Sequence, residues 1–152
     1  MPVHQETRVL PYTPEQIFAM VADVEKYPEF LPWCVACRIK KRETESTFTA
    51  DMAIGFKMVR EKFTSRVTLT KPDSITVEYL DGPFRHLTNK WVFQAAAGGK
   101  STQLEFFLDF EFRSKLLQSL IGVLFDEAVR RMVAAFEARA RVLYASASSP
   151  VS

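Results

Sequence analysis

Charge of one sign, histidine, cysteine beyond a single pair and any long apolar run are what this 152-residue chain lacks. Lys and Arg number 20 against 18 Asp and Glu, a net charge of +2, which is mild beside the clustered basic footprint of a dedicated nucleic-acid binder. The two cysteines form a CxxC, Cys34-Val-Ala-Cys37, and only His4 and His86 stand elsewhere as soft ligands, so a four-ligand zinc site is excluded. A redox CxxC belongs at a helix start after a strand, whereas here a proline-rich turn leads into the strand-like VACRIK. Residues three apart in an extended chain lie about 10 Å apart, beyond the disulfide limit of about 7 Å. The thiols read as structural. No serine has a nearby histidine and acid, and no glycine-rich loop precedes a helix, so neither a hydrolase nor a nucleotide site is legible. The most apolar run, Leu116 to Phe125, is far short of the roughly 20 residues a spanning helix needs. The N-terminal MPVHQETRVL has neither a secretory nor a transit-peptide pattern. The expectation is a cytoplasmic chain, with contact at the inner face of a membrane as the alternative.

What is abundant is phenylalanine: there are 13, and aromatic residues make up 12% of the chain. Either the core is built of large flat side chains or they line a cavity. The stretch YPEFLPWC, Tyr27 to Cys34, sets four large apolar side chains around two prolines that forbid a long helix or a central strand. Something must cover it.

Element signals run in a clear order. Val3 to Leu10 reads as a strand, and Thr13-Pro14-Glu15-Gln16 reads as a capping box opening a helix to about Val24. From Val35 to Arg113 the apolar pattern has period two, with turn residues separating six runs. From Ser114 to about Tyr144 apolar residues recur at helical spacing, on nearly all sides before Phe125 and on one side thereafter. The fold class is α+β: seven antiparallel strands, one or two short helices after the first, and a long C-terminal helix that alone can cover the apolar face. Residues 1–145 form one domain, and 146–152 read as a disordered tail.

Strand parity selects what faces that helix. The inward set holds Val35, Cys37 and Ile39, the even positions from Phe48 to Phe56, and Val59, Glu61, Phe63, Ser65, Val67 and Leu69. It continues through Ile75, Val77, Tyr79, Leu87, Asn89, Trp91, Phe93, Leu104, Phe106, Leu108, Phe110 and Phe112. Glu61, Tyr79 and Asn89 are out of character there. Either a bulge or an ion pair accommodates Glu61, or the three are the few polar groups that orient a ligand in an apolar pocket. The outward parity carries Arg38, Lys40 and Arg42 on one strand and Arg60, Lys62 and Arg66 on another. That is a solvated face, or a contact for anionic lipid or ribosomal RNA.

Tyr27, Phe30 and Pro32-Trp33-Cys34, then Asp81-Gly82-Pro83-Phe84 with Leu87 and Trp91-Val92-Phe93, then Asp109-Phe110-Glu111-Phe112 and Ala135-Phe136-Glu137-Ala138-Arg139-Ala140 together resemble the coenzyme Q-binding START-domain family. The resemblance implies a helix-grip fold of the START/Bet v 1-like kind, with a lipid-sized tunnel that binds ubiquinone or a similar polyprenyl lipid in support of respiration. It implies no catalysis and no cofactor beyond the bound lipid. Bacterial relatives in the same group include a toxin of the large ribosomal subunit, so a ribosome-binding regulator is the alternative. A polyketide cyclase or dehydratase using Glu61 or Tyr79 as acid or base is the third. The expected ligand contacts are Phe30, Trp33, Phe56, Glu61, Phe63, Tyr79, Asn89, Trp91, Phe93, Phe106, Phe110, Phe125 and Met132. The connector residues Phe30, Leu31 and Trp33 serve as tunnel wall or as a plug of the core. Phe84, Leu116, Leu120 and Val123 are expected to form an exposed apolar mouth that rests on a membrane or is covered by a second copy in a homodimer.

Overall fold

The computed structural model describes the backbone of residues 3–31, 33–56 and 59–148, and the side chains of these apart from 56, 59, 97 and 145–148. The strands are β1 (Val3–Leu10), β2 (Cys34–Arg42), β3 (Thr47–Phe56), β4 (Val59–Thr70), β5 (Ser74–Asp81), β6 (Phe84–Ala96) and β7 (Ser101–Phe112). They form one sheet in the order β1-β7-β6-β5-β4-β3-β2, every neighbouring pair antiparallel. Strands β2 to β7 follow as a meander. The first two strands lie at opposite edges, so the segment between them has to cross the sheet.

That crossing is made by helix α1 (Pro14–Ala22) and a 3₁₀ turn, Val24–Glu29. The capping box forms as the sequence predicts: the Gln16 N–H donates to Thr13 Oγ1 (3.2 Å) and the Thr13 N–H to Gln16 Oε1 (2.9 Å). The α-helix stops at Ala22, two residues before the expected Val24. Asp23, at φ −85° and ψ 69°, leaves the helical region there, and the chain tightens into the 3₁₀ turn that contains Pro28. The tighter turn buries Tyr27, whose hydroxyl donates to the Val21 carbonyl. The aromatic connector is thereby folded inward.

Helix α2 (Lys115–Ser148) closes the sheet. The Ser114 hydroxyl accepts the Leu117 N–H at its start (3.2 Å). Ile121, Phe125, Val129, Met132, Phe136 and Ala140 are buried, at steps of three and four that make one stripe. The Tyr144 hydroxyl donates to the Gln16 carbonyl (2.7 Å) and ties the far end to α1. The helix runs to Ser148, past its expected end near Tyr144, and 149–152 of the expected tail lie outside the described residues.

Two expectations about facing need correction. Cys34 and Cys37 are both buried although an odd number of steps separates them, and Val35, expected to point inward, is 63% exposed. A register shift between Cys34 and Ala36 against β3 accounts for this, since one bulged residue exchanges the two faces. Conversely, no bulge lies at Glu61: β3 and β4 pair without a shift from Thr47↔Thr68 to Phe56↔Val59.

Candidate functional site: an apolar cavity between sheet and helix

Sheet and α2 leave between them a cavity of about 200 Å³. That exceeds the engineered apolar cavity of about 150 Å³ that stays dry and takes up benzene. Its aromatic wall is assembled from separate elements: Trp33 from the connector, Phe63 from β4, Trp91 from β6, Phe106 and Phe110 from β7 and Phe125 from α2. Met132 and Asn89 complete the expected residues found there. Edge-to-face packing holds the rings in place, with Trp91 at 4.7 Å from Phe106 and 5.2 Å from Phe136 between centroids. The connector therefore serves as wall through Leu31 and Trp33.

Several expected contacts lie elsewhere. Phe30 packs between Tyr27 and Phe136 with the Arg139 guanidinium 5.1 Å above its ring, so it plugs the core beside the cavity. Phe93 is buried against Phe18 and Trp91. Glu61 shares the inward parity but is only half-buried near the β3–β4 turn and does not line the cavity. Tyr79 also stays out; its hydroxyl accepts the Phe84 N–H (3.0 Å) and fastens the turn after β5. The Phe56 side chain lies outside the described residues.

The expected mouth is corrected at its centre. Leu116 and Val123 are 78% and 81% exposed, and Leu120 is half-buried against the core. Phe84, in contrast, is 2% exposed and lines the cavity. A register shift between Phe84 and His86 against β7 brings it onto the same side as the odd-numbered Leu87, Asn89 and Trp91. Gly82, at φ +148, makes the preceding turn possible, since a Cβ there would lie 2.6 Å from Phe63 Cβ.

Among the described residues no Asp, Glu, Lys, Arg or His lines the cavity. Asn89 is held by two hydrogen bonds, donating from Nδ2 to the Phe107 carbonyl (2.9 Å) and accepting at Oδ1 from Trp91 Nε1 (3.1 Å). Sequence reasoning put Ser65 on the inward face without giving it a role; it too reaches the cavity, along with Ala50 and Val67. Small residues give no compositional signal. Parity on β4 was the signal that could have found Ser65.

Burial pushes the Cys34 thiol up to about 11 and the Cys37 thiol up to about 12, so both stay protonated near neutral pH, unlike redox thiols. Among the described residues no group of His, Cys, Asp and Glu is placed to hold a metal, and no helix is long and apolar enough to cross a membrane. On the outer face Arg66 bridges Glu43 (2.9 Å) and Glu78 (3.1 Å), and Arg38 approaches Asp51 (3.8 Å). Lys62 is exposed, as is Lys40 at the register shift between Ile39 and Lys41.

Comparison with known proteins gives the architecture a context. The ribosome association toxin RatA of Escherichia coli K12 is 37% identical over 146 residues, 96% of this chain and 91% of that protein. The mitochondrial coenzyme Q-binding protein COQ10 homolog B of Xenopus laevis is 33% identical over 151 residues, 97% of this chain but 62% of that protein. The solution structure of an 18 kDa Caulobacter crescentus protein superposes with a TM-score of 0.78 at 41% identity, covering 95% of this chain and 99% of that one. A family model described as "Polyketide cyclase / dehydrase and lipid transport" matches residues 10–137, and with its helix-grip sheet and long C-terminal helix the chain belongs to that START-like family.

Proposed function

We propose that this protein binds a hydrophobic ligand of the ubiquinone class in its cavity, without converting it chemically, and that the bound lipid serves respiratory electron transport. The observation that carries the reading is the lining, aromatic and aliphatic nearly throughout and, among the described residues, without Asp, Glu, Lys, Arg or His. A relative whose name states that it binds coenzyme Q supports it. Pockets for drug-sized ligands span about 300–1,000 Å³, so the cavity takes the quinone ring and the first part of its tail, and the rest of the tail leaves between sheet and helix. A cyclase or dehydratase needs an acid or base at the substrate, and both candidates, Glu61 and Tyr79, stand outside the lining. The exposed Leu116 and Val123, seven residues apart on one side of α2, supply an apolar strip for resting on the membrane that holds the lipid.

The test uses vesicles of phosphatidylcholine and phosphatidylglycerol carrying ubiquinone. After the vesicles are pelleted, quinone is extracted from the soluble protein and identified by mass spectrometry. The expected result is near-stoichiometric quinone, with uptake slowed severalfold in a Leu116→Asp, Val123→Asp double variant whose direct titration with ubiquinone carrying one prenyl unit is unchanged. Empty protein, together with no saturable titration, rejects the reading.

A second reading, association with the large ribosomal subunit, is favoured by the match to RatA over nearly the full length of both chains. It would use the outer face of β2 and β4 and the exposed cations there and at the β2 bulge, Arg38, Lys62 and Lys40. The two readings occupy opposite sides of one sheet. Cosedimentation with the large subunit at low salt, lost on Arg38→Glu, Lys40→Glu, Lys62→Glu in a folded protein, supports it; no cosedimentation at low salt removes it.

A further inference from the structure

Ser65 is 6% exposed, lines the cavity, and its hydroxyl has no hydrogen-bond partner among the described residues. Since no buried side-chain nitrogen or oxygen among the described residues lacks a partner, this hydroxyl keeps accessible surface at the cavity, where a ligand can reach it. Of the other polar side chains in the lining, Tyr27 donates to the Val21 carbonyl, Asn89 joins Trp91 to the Phe107 carbonyl, Cys37 is a protonated thiol, and Trp33, only half-buried, offers an indole N–H that can donate but not accept. The β4–β5 pairing shifts between Thr64 and Ser65 by one residue of β5, Leu80, so β4 keeps its parity and Ser65 stays on the inward face. Directly across β3 stands Ala50, a methyl group between the larger Phe48 and Met52.

We propose that Ser65 is the polar anchor of the cavity, and that the ligand it holds is electrically neutral and enters with a hydrogen-bonding oxygen, a carbonyl or hydroxyl, foremost. This rests on the binding reading above and narrows its ligand class. A carboxylate, phosphate or ammonium at this depth would find no counter-charge among the described residues lining the cavity, and leaving a charge uncompensated in such surroundings costs several kcal/mol. Neutral isoprenoid quinones and alcohols fit; fatty acids and phospholipid headgroups do not. Asn89 lies two strands away, about 10 Å at ordinary strand spacing, so one ring oxygen reaches Ser65 alone.

Three probes that share a ten-carbon isoprenoid skeleton separate the parts of the proposal: geraniol, geranate at pH 8, and the matching hydrocarbon, each titrated against the full chain by tryptophan fluorescence. Geraniol is expected to bind at least tenfold more tightly than geranate. Ser65→Ala is expected to weaken geraniol by about fivefold, the share of one hydrogen bond, and the hydrocarbon by less than twofold. Ser65→Cys, nearly isosteric with a weaker donor, should fall between. Equal losses for alcohol and hydrocarbon, or no loss for either, overturn the anchor. Geranate binding as tightly as geraniol overturns the neutral-ligand class. Wild-type protein that binds none of the three overturns the binding reading itself, and with it the anchor.

Discussion

Phe84→Ala is expected to destabilise the fold by about 3–5 kcal/mol, the range for removing a fully buried phenylalanine ring. The ring is stacked on Phe112 at 4.8 Å and meets Phe63, Tyr79 and Phe110 edge-on at 5.3, 5.4 and 5.6 Å. It joins β4, β5, β6 and β7 at the end of the sheet where α2 begins, and its backbone N–H is fastened to the Tyr79 hydroxyl. Truncation removes apolar contact from four rings and enlarges a cavity that already exists, so the surroundings have little with which to refill the space. Urea unfolding monitored by tryptophan fluorescence measures the loss. Leu116→Ala is the control, because a side chain 78% exposed should change stability by no more than about 0.5 kcal/mol. A Phe84→Ala cost below 1 kcal/mol would mean that this residue is at a surface after all, as the sequence pattern suggests.

That contrast shows where the sequence is legible and where it is not. Period-two alternation marks the six strands between Val35 and Arg113, because β3, β4 and β7 keep strict inward parity over most of their length. The Thr13 capping box and the three-and-four stripe from Ile121 to Ala140 are local signals, and each is realised in the structure. What alternation does not announce is a bulge. Shifts at Cys34/Ala36 and Phe84/His86 each exchange the faces of the residues beside them, turning Val35 out and Phe84 in. Chemistry misled in a different way. Glu61, Tyr79 and Asn89 stood out as polar residues on an inward face, yet Glu61 sits beyond the cavity, Tyr79 fastens a turn and only Asn89 lines the space. The position with a free polar group is Ser65, too small and common to draw notice in a sequence. Its significance depends on the absence of partners, which only three-dimensional placement reveals.

Ala50→Leu is expected to abolish ligand binding while leaving the fold intact. Ala50 is buried, lines the cavity and lies opposite Ser65. A leucine there projects three additional carbons into space that is otherwise unfilled, beside the only free hydroxyl identified in the lining. Each buried methylene contributes about 0.8 kcal/mol, so filling could stabilise the ligand-free protein by up to about 2 kcal/mol, reduced by any strain against Phe48 and Met52. The sign matters more than the size. Most substitutions of a buried residue lower stability and binding together, whereas this one should hold or raise the melting temperature and still weaken ubiquinone carrying one prenyl unit by more than tenfold, because the ligand and the new side chain claim the same volume. Thermal unfolding and titration on the same preparation read the two effects separately. Unchanged stability with affinity within twofold of wild type would place the ligand outside this cavity. Ribosome cosedimentation adds an independent axis: the outer face of β2 and β4 is untouched by Ala50→Leu, so a variant that loses quinone but keeps the large subunit would assign the two activities to the two sides of the sheet.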